Sequence, residues 1–513
     1  MKVYFVGAGP GDPELLTVKA RRLLEQARLC IYAGSLIAPD ILKLLPPQAE
    51  RHDSARLDLS QIIALFQRAA QENIDVVRLH TGEPAIYGAI GEQMDALDRL
   101  AIDYEVVPGI SAFQAAAATL RVELTAPEVA QTVILTRTPG RTPMPPAEDL
   151  ARLAPSRATL CLFLSTGKVA ELAAMLAEHY GAECPAAMVY HASWPDEIVI
   201  RGTLADVGAK VAAAGIQRTA LFLVGYALAR PAGSVSKLYA PSFSHGYRSA
   251  GDCPNFRVSE NGTVPFDPAG RGKLYVVGIG PGGKSHRTLR AIEAIAESRV
   301  VVGYAPYLEA IADLTAGKEL IVSGMTHEVV RCREALQRAA AGETVALISS
   351  GDPGIYGMAG LAFELAQAEA LHVPIEIVPG VTAASAAAAA LGAPLMLDFA
   401  VISLSDLLVS WETVRTRLQA VAAADLVTVL YNPRSRTRRR QLDEAVEIFR
   451  AVRPGSTPVG VATSAGQVEE ALAVTDLDHV LQQEVGMRSV VVIGNRSTQV
   501  VDGHLVTARG YRL

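Results

Sequence analysis

Short, almost continuous apolar runs alternate with helical patterns along the chain. Early runs cover residues 3–6, 29–32, 76–79, 104–107 and 133–135, and a helical pattern covers 60–71. Later runs cover 159–164, 187–190 and 221–224, and similar ones recur at 426–430, 459–461 and 490–493. Valine-, isoleucine- and leucine-rich runs joined by helices predict parallel sheets covered on both faces. The pattern therefore predicts an α/β fold.

Three glycine-containing motifs occur twice, in the same order. They are GxGPG at 7–11 and 278–282, (S/T)G(D/E)PxxYG at 81–88 and 350–357, and PG(I/V)(S/T)A at 108–112 and 379–383, at separations of 271, 269 and 271 positions. The chain is therefore predicted to hold two tandem modules, here called the first copy (1–241) and the second copy (272–513). Each is expected to consist of two α/β halves with a cleft between them.

The segment 242–271 separates the two copies. It is polar, rich in glycine, proline, asparagine and serine, and has no apolar period. These features predict an exposed linker. Cleavage there is expected to leave two folded fragments of similar size.

Composition narrows the class of protein. Half of the 513 residues are hydrophobic, and the longest apolar stretch, 383–397, is mostly alanine and is interrupted by glycine and proline, which predicts a buried helix and not a membrane span. A net charge of −6 disfavours nucleic-acid and membrane partners. The five cysteines form no CxxC pair and the histidines show no ligand spacing, so we expect no metal site. The N-terminal residues lack a signal-peptide layout, which predicts a cytoplasmic protein.

Each motif allows a binding role and a purely structural role. Glycine-rich turns after strands are where α/β sheets bind ligands, but Pro10 and Pro281 disfavour a dinucleotide fingerprint. The acids Glu83 and Asp352 either hold a polar ligand group or cap the following turn. The hydroxyl at the start of the third motif's helix either contacts a ligand or caps that helix.

Taken together, in order and twice, the motifs resemble the tetrapyrrole methylase family. The resemblance implies two α/β halves with S-adenosylmethionine, the methyl donor, in the cleft between them. It further implies donor contacts in both copies from the following residues: Pro10, Thr81, Gly82, Glu83, Ile86, Ser111, Ala112, Leu164, Ala192, Pro281, Ser350, Gly351, Asp352, Ile355, Thr382, Ala383, Asn432 and Ala465.

The copies resemble different members of that family. YAGSLI (32–37), TGEPAIYGAIGEQM (81–94), APEVAQTVILTR (126–137) and SWPDE (193–197) are similar to precorrin-4 C(11)-methyltransferases. SGDPGIYGMAG (350–360), DFAVISLSDLLVSWE (398–412) and YNPRSRTR (431–438) are similar to precorrin-3B C(17)-methyltransferases, which are associated with ring contraction. The resemblance thus implies a bifunctional enzyme of cobalamin biosynthesis with precorrins or cobalt-precorrins as substrates.

Two departures and several alternatives accompany this interpretation. Glu83 stands where aspartate is expected, and Leu397 stands where relatives often carry histidine.

Five arginines within 434–440 either start a solvated helix or bind substrate carboxylates. Trp194 and Trp411 either pack in a core or contact the macrocycle. A methylase acting on diphthamide or ribosomal RNA and a non-catalytic binding module are the alternative functions, and a homodimer is one assembly that the sequence allows.

Overall fold

The computed structural model describes residues 1–126, 129–139, 149–229, 257–259 (backbone only), 272–324, 327–407, 409–435 and 438–508. Most of the predicted linker 242–271 lies outside the described residues. The strands are β1 Lys2–Gly7, β2 Leu29–Tyr32, β3 Glu50–Asp53, β4 Val76–His80, β5 Asp103–Val107, β6 Thr132–Arg137, β7 Thr159–Phe163, β8 Pro185–Tyr190, β9 Ile198–Thr203, β10 Ala220–Val224, β11 Arg257–Ser259, β12 Lys273–Gly278, β13 Val300–Tyr304, β14 Glu319–Ser323, β15 Thr344–Ser349, β16 Ile375–Val378, β17 Gly392–Ala393, β18 Phe399–Ser403, β19 Val427–Tyr431, β20 Pro458–Thr463, β21 Ala471–Asp476, β22 Ser489–Ile493, β23 Thr498–Val501 and β24 His504–Thr507.

Helices connect most of these strands. They are α1 Val18–Glu25, α2 Pro39–Leu42, α3 Leu59–Gln71, α4 Gly91–Arg99, α5 Ala112–Leu120, α6 Leu150–Leu153, α7 Val169–Tyr180, α8 Val207–Ala213, α9 Leu289–Glu297, α10 Ala305–Ala310, α11 Glu328–Ala340, α12 Ala359–Ala368, α13 Ala383–Leu391, α14 Trp411–Ala423 and α15 Arg440–Arg450. In the described parts of the chain, no helix has the length and apolar composition needed to cross a bilayer.

The first half of each copy is a separate α/β sheet. In the first copy five parallel strands lie in the order β3-β2-β4-β1-β5. The second copy repeats this arrangement as β14-β13-β15-β12-β16 and adds β11, which is antiparallel, at the edge. The parallel sheets predicted from the apolar runs are confirmed here, because the strands are buried on both faces by the intervening helices.

The second halves of the two copies join in one sheet. Ten strands lie in the order β21-β20-β22-β19-β18-β6-β7-β10-β8-β9, and the copies meet where β18 pairs antiparallel with β6. This sheet is mixed and not parallel, since β10 runs antiparallel to both neighbours and two hairpins form its edges. The short connection between β8 and β9 allows only antiparallel pairing, so the expectation of parallel sheets throughout is wrong for these halves.

The shared sheet gives the copies a common core. Alternate residues of its strands enter two apolar clusters, so that Ile134 contributes to one face and Val133 to the other. Each cluster contains side chains from both copies, and one of them also takes in α5 and α13. The second halves of the two copies therefore share a core, and the result of cleavage within 242–271 stays a prediction.

The alanine-rich stretch 383–397 is only partly helical. α13 ends at Leu391, and Gly392 has a φ of +123°, which terminates the helix. The following residues form β17 and then pack against the first half of the first copy, where Ala393 and Met396 join the apolar cluster that contains Phe5 and Phe66. The expected single buried helix is thus wrong beyond Leu391, although the stretch is buried as expected.

Candidate functional site

The three motifs of the first copy meet at one backbone junction. Gly9 N–H donates to the carbonyl of Gly82 (3.2 Å), and Gly82 N–H donates to the carbonyl of Gly9 (2.8 Å). A Cβ atom on Gly109 would lie 2.2 Å from the Gly82 oxygen, so the third motif approaches too closely for any side chain. Gly82 also neighbours the backbone of Ser111 and Ala112. The sequence repeat thus marks a real convergence in space.

The second copy repeats the junction almost atom for atom. Gly280 N–H donates to Gly351 O (3.2 Å), and Gly351 N–H donates to Gly280 O (2.8 Å). A Cβ atom on Gly380 would lie 2.2 Å from the Gly351 oxygen. Gly82 and Gly351 both have left-handed backbones, with φ of +61° and +62°.

The Cα atoms of Gly82 and Gly351 are less crowded than that of Gly109. A Cβ atom on Gly82 would meet no atom closer than 3.6 Å, and one on Gly351 none closer than 3.9 Å. These are ordinary van der Waals distances. Neither Gly82 nor Gly351 is thus excluded from carrying a Cβ atom by a clash, and the left-handed backbone is what favours glycine at both positions.

The two acids are buried in the junctions. The Glu83 carboxylate accepts hydrogen bonds from Ala85 N and Gly109 N, both at 2.9 Å. The Asp352 carboxylate accepts from Gly354 N (2.9 Å) and Gly380 N (3.1 Å). Burial raises the pKa of Glu83 to about 8 and that of Asp352 to about 6, against the opposing effect of these backbone donors.

These contacts support the turn-capping interpretation of the acids. Each carboxylate ties the loop of the second motif to the glycine of the third. The longer side chain of Glu83 makes the same two types of bond as Asp352, so the extra methylene leaves this arrangement unchanged. A direct contact between either carboxylate and the donor stays a prediction.

The third motif begins a helix in both copies. Ser111 and Thr382 occupy the N-cap positions of α5 and α13. Gln114 Oε1 accepts a hydrogen bond from Ser111 N (3.0 Å). The Thr382 hydroxyl lies 2.6 Å from the Tyr431 hydroxyl, so this threonine also contacts the second half of its copy.

The second halves contribute residues directly after β7 and β19. Leu164 and Asn432 have left-handed backbones, with φ of +52° and +50°, and the Leu164 side chain is 72% exposed. The ring of Tyr87 lies 5.1 Å from that of Phe163, which precedes Leu164. In the second copy Tyr356 packs 5.3 Å from Tyr431. The loops carrying Ile86 and Ile355 therefore meet the strand ends of the second halves.

Loops after β8 and β20 close the opposite side of each cleft. Ala192 and Ala465 are buried there. The indole of Trp194 donates to the carbonyl of Pro10 (2.7 Å), and the amide of Gln467 donates to the carbonyl of Pro281. The predicted donor contacts of each copy thus lie on loops at the place where its two halves meet, and their binding role stays a prediction.

Sequence reasoning missed the residues that join the halves. Tyr87 and Tyr356 are two of these residues, and the signal that could have found them is the recurrence of the tyrosine in both copies of the second motif. Gln467 has no counterpart of its own type in the first copy, where Trp194 makes the equivalent contact, so no repeat signals it. Trp194 lies at the cleft and stacks on His191 (4.5 Å between ring centroids), whereas Trp411 packs against the core beneath the shared sheet.

The arginine-rich segment is not uniformly solvated. Arg440 is exposed and pairs with Glu444, as a solvated helix start predicts. Arg438 is buried and donates to the carbonyl of Asn432 (2.8 Å), and Arg434 pairs with Asp443. Among the described residues no group of histidine, cysteine, aspartate and glutamate is arranged to hold a metal ion.

The sequence model of the family Tetrapyrrole (Corrin/Porphyrin) Methylases matches residues 2–208 and 273–481. The two matches together cover most of the chain, once in each copy. The chain belongs to this family. It is an S-adenosylmethionine-dependent C-methyltransferase, which confirms the enzyme class implied by the motifs.

Several tetrapyrrole methylases resemble one copy each. A cobalt-precorrin-4 C(11)-methyltransferase of Methanocaldococcus jannaschii is 48% identical over 250 residues, which are 48% of this chain and 96% of that protein. A precorrin-4 C(11)-methyltransferase of Pseudomonas aeruginosa is 49% identical over 248 residues, 48% of this chain and 99% of that protein. A probable cobalt-factor III C(17)-methyltransferase of Salmonella typhimurium is 47% identical over 240 residues, 47% of this chain and 100% of that protein.

Proposed function

We propose that this chain is a bifunctional methyltransferase of cobalamin biosynthesis. The first copy methylates carbon 11 of precorrin-4, and the second methylates carbon 17 of precorrin-3B with ring contraction, or each acts on the cobalt-bearing equivalent. The observation that carries the proposal is the duplication of the whole junction, once in each copy. It is supported by similarity to C(11)- and C(17)-methyltransferases over lengths that match one copy.

The donor is proposed to bind at the open side of each junction. Gly82 and Gly351 carry no side chain there, and the N-caps Ser111 and Thr382 begin helices beside them. Backbone groups of such turns suit a ligand with many hydrogen-bonding atoms, because glycine permits close approach. The remaining predicted contacts line the same two clefts and are proposed to complete the donor sites.

S-adenosylmethionine supplies an electrophilic methyl group when it is bound. The nucleophile is a carbon of the substrate, so the residues of the cleft need to align two reactants and exclude water. The contacts from Trp194 to Pro10 and from Gln467 to Pro281 hold the two halves of each cleft together at its edge.

The test is methyl transfer from labelled S-adenosylmethionine to precorrins. Metal-free and cobalt-bearing substrates are supplied in parallel, and the labelled carbon is located by nuclear magnetic resonance. Label at carbon 11 and at carbon 17 is expected, each from its own substrate. Donor binding without turnover on any of these substrates would instead favour a binding module, and label at one position only would refute the bifunctional proposal.

A further inference from the structure

The tyrosine of the first copy's second motif reaches into the second copy. The Tyr87 hydroxyl donates to Oδ1 of Asp398 (2.7 Å), and the Thr136 hydroxyl donates to Oδ2 of the same carboxylate (2.6 Å). Asp398 is 1% exposed and precedes β18, the strand that joins the two copies. A carboxylate of the second copy therefore binds two side chains of the first.

Tyr87 is also part of the first copy's cleft. It follows Ile86 directly, has a left-handed backbone (φ +54°), and packs its ring against Phe163 beside Leu164. A left-handed backbone in a residue other than glycine is strained, so it persists only where surrounding contacts hold it. The hydrogen bond to Asp398 is one contact that fixes the far end of this side chain.

The reverse contact exists in the second copy. The Tyr356 hydroxyl donates to the backbone carbonyl of Gln131 (2.6 Å), and Tyr356 N donates to the hydroxyl of Thr125 (2.9 Å). Gly354 O accepts from Leu124 N (3.2 Å). The loop beside the second cleft is thus held by the first copy, through backbone groups and one threonine.

We propose that each donor cleft is held in shape by the opposite copy, with Asp398 as a positioning residue for the first cleft and Thr125 as one for the second. This inference rests on the proposed donor sites. It assigns to Asp398 an effect on the copy to which it does not belong. The carboxylate acts through Tyr87, which it binds directly and which follows the predicted donor contact Ile86 in the chain.

The experiment measures the affinity of each cleft for S-adenosylhomocysteine by calorimetry on the full chain. Gly351→Val is expected to leave only the first cleft able to bind, and Gly82→Val only the second, which titration of each single variant checks first. In these two backgrounds Asp398→Leu, Tyr87→Phe and Thr125→Val are compared. Tyr87→Phe should weaken the first cleft by about tenfold, as expected for loss of one hydrogen bond to a buried charged acceptor. Asp398→Leu should weaken it by a similar factor, because of its two lost hydrogen bonds only the one from Tyr87 reaches the cleft.

The second cleft should respond in the opposite manner. Thr125→Val should weaken it several-fold and leave the first cleft unchanged, whereas Asp398→Leu should leave the second unchanged. Asp398→Asn should keep the affinity of the first cleft, because the amide oxygen of asparagine still accepts a hydrogen bond from Tyr87. Asp398→Leu combined with Tyr87→Phe should weaken the affinity of the first cleft no more than either change alone. Tyr226→Phe is the matched control, since its hydroxyl donates to a backbone carbonyl of the first copy (Tyr180 O, 2.7 Å) away from both clefts.

The outcomes separate this inference from the proposed function. If the unmodified chain binds no S-adenosylhomocysteine, both are overturned. If the chain binds S-adenosylhomocysteine, three results for Asp398→Leu overturn the cross-copy role alone. They are no weakening of either cleft, weakening of the second cleft only, and equal weakening of both clefts. Equal weakening with a lowered unfolding temperature would assign Asp398 to stability and not to positioning, as would failure of Asp398→Asn to keep the affinity of the first cleft.

Discussion

Replacing Gly351 by valine tests whether the junction of the second copy is its donor site. Gly351 has a φ of +62°, so any other residue there adopts a left-handed backbone, which costs about 1–2 kcal/mol. A Cβ atom meets no protein atom closer than 3.9 Å, so the first side-chain atom adds no clash to this cost. Because domains unfold with roughly 5–15 kcal/mol, the variant should remain folded.

The effect on the reaction should be much larger than the effect on stability. The valine side chain would extend into the room where the donor is proposed to bind. A displacement of the donor by roughly 1 Å costs about 100-fold in rate, because the reacting atoms lose alignment. We therefore expect methylation at carbon 17 to fall by at least about 100-fold in Gly351→Val, while methylation at carbon 11, which uses the junction at Gly82, continues.

The assay follows both methylations on separate substrates, after circular dichroism has shown that the variant is folded. Gly317→Val is the matched control: Gly317 lies in the same copy, has a φ of +75°, and has no neighbour within 4 Å of its Cβ position. It carries the same backbone cost without touching the cleft. Loss of both methylations in folded Gly351→Val, or equal losses in Gly317→Val, would refute the assignment of the junction.

Donor stoichiometry, pH and proteolysis give three more tests. Calorimetry with S-adenosylhomocysteine should count two sites per chain, because both junctions are complete; a single site would contradict this. Burial raises the pKa of Glu83 from 4.5 to about 8, so its contribution to stability is fully present below pH 4.5 and is lost as pH rises through 8. The unfolding temperature of Glu83→Gln should therefore depend less on pH across this window than that of the unmodified chain. Unfolding temperatures that change with pH in parallel in the two proteins would contradict this role of Glu83. After cleavage within 242–271 the fragments should co-elute, because β6 pairs with β18; separation into folded monomers would oppose a shared core.

Much of the fold was predictable because single elements carry their own signals. The buried strands of the first halves are nearly continuous apolar runs, and the prediction at 29–32 coincides with β2. β9 and β21 were missed, since these edge strands are largely exposed and lack such runs. The pairing of β6 with β18 was also beyond prediction, because periodicity reports which face of a strand is buried and not which strand lies beside it.

The site was predictable as a set of motifs but not as a set of roles. Repetition at a nearly constant separation indicated which residues belong together, and the junctions confirm that Gly82 and Gly351 lie at equivalent places. The sequence left open whether Glu83 faces a ligand or the backbone. That choice depends on the position of Gly109 N, which the fold of the third motif supplies. Contacts between copies, such as that of Tyr87 with Asp398, leave no local pattern.

The pairing of β6 with β18 relates the copies by an approximate two-fold axis, with Thr132 opposite Ile402 and Leu135 opposite Phe399. In an assembly of two identical chains, every mutation at an interface on a two-fold axis occurs twice. Each new side chain must therefore fit against the same substitution in the other chain. Here Gln131 and Asp398 hold equivalent places 267 positions apart and are different residues. Covalent fusion removes the requirement for self-matching, since a change on one side faces a single fixed neighbour. The two faces can therefore diverge into two different surfaces that are complementary to each other. Each face then no longer fits a second copy of itself.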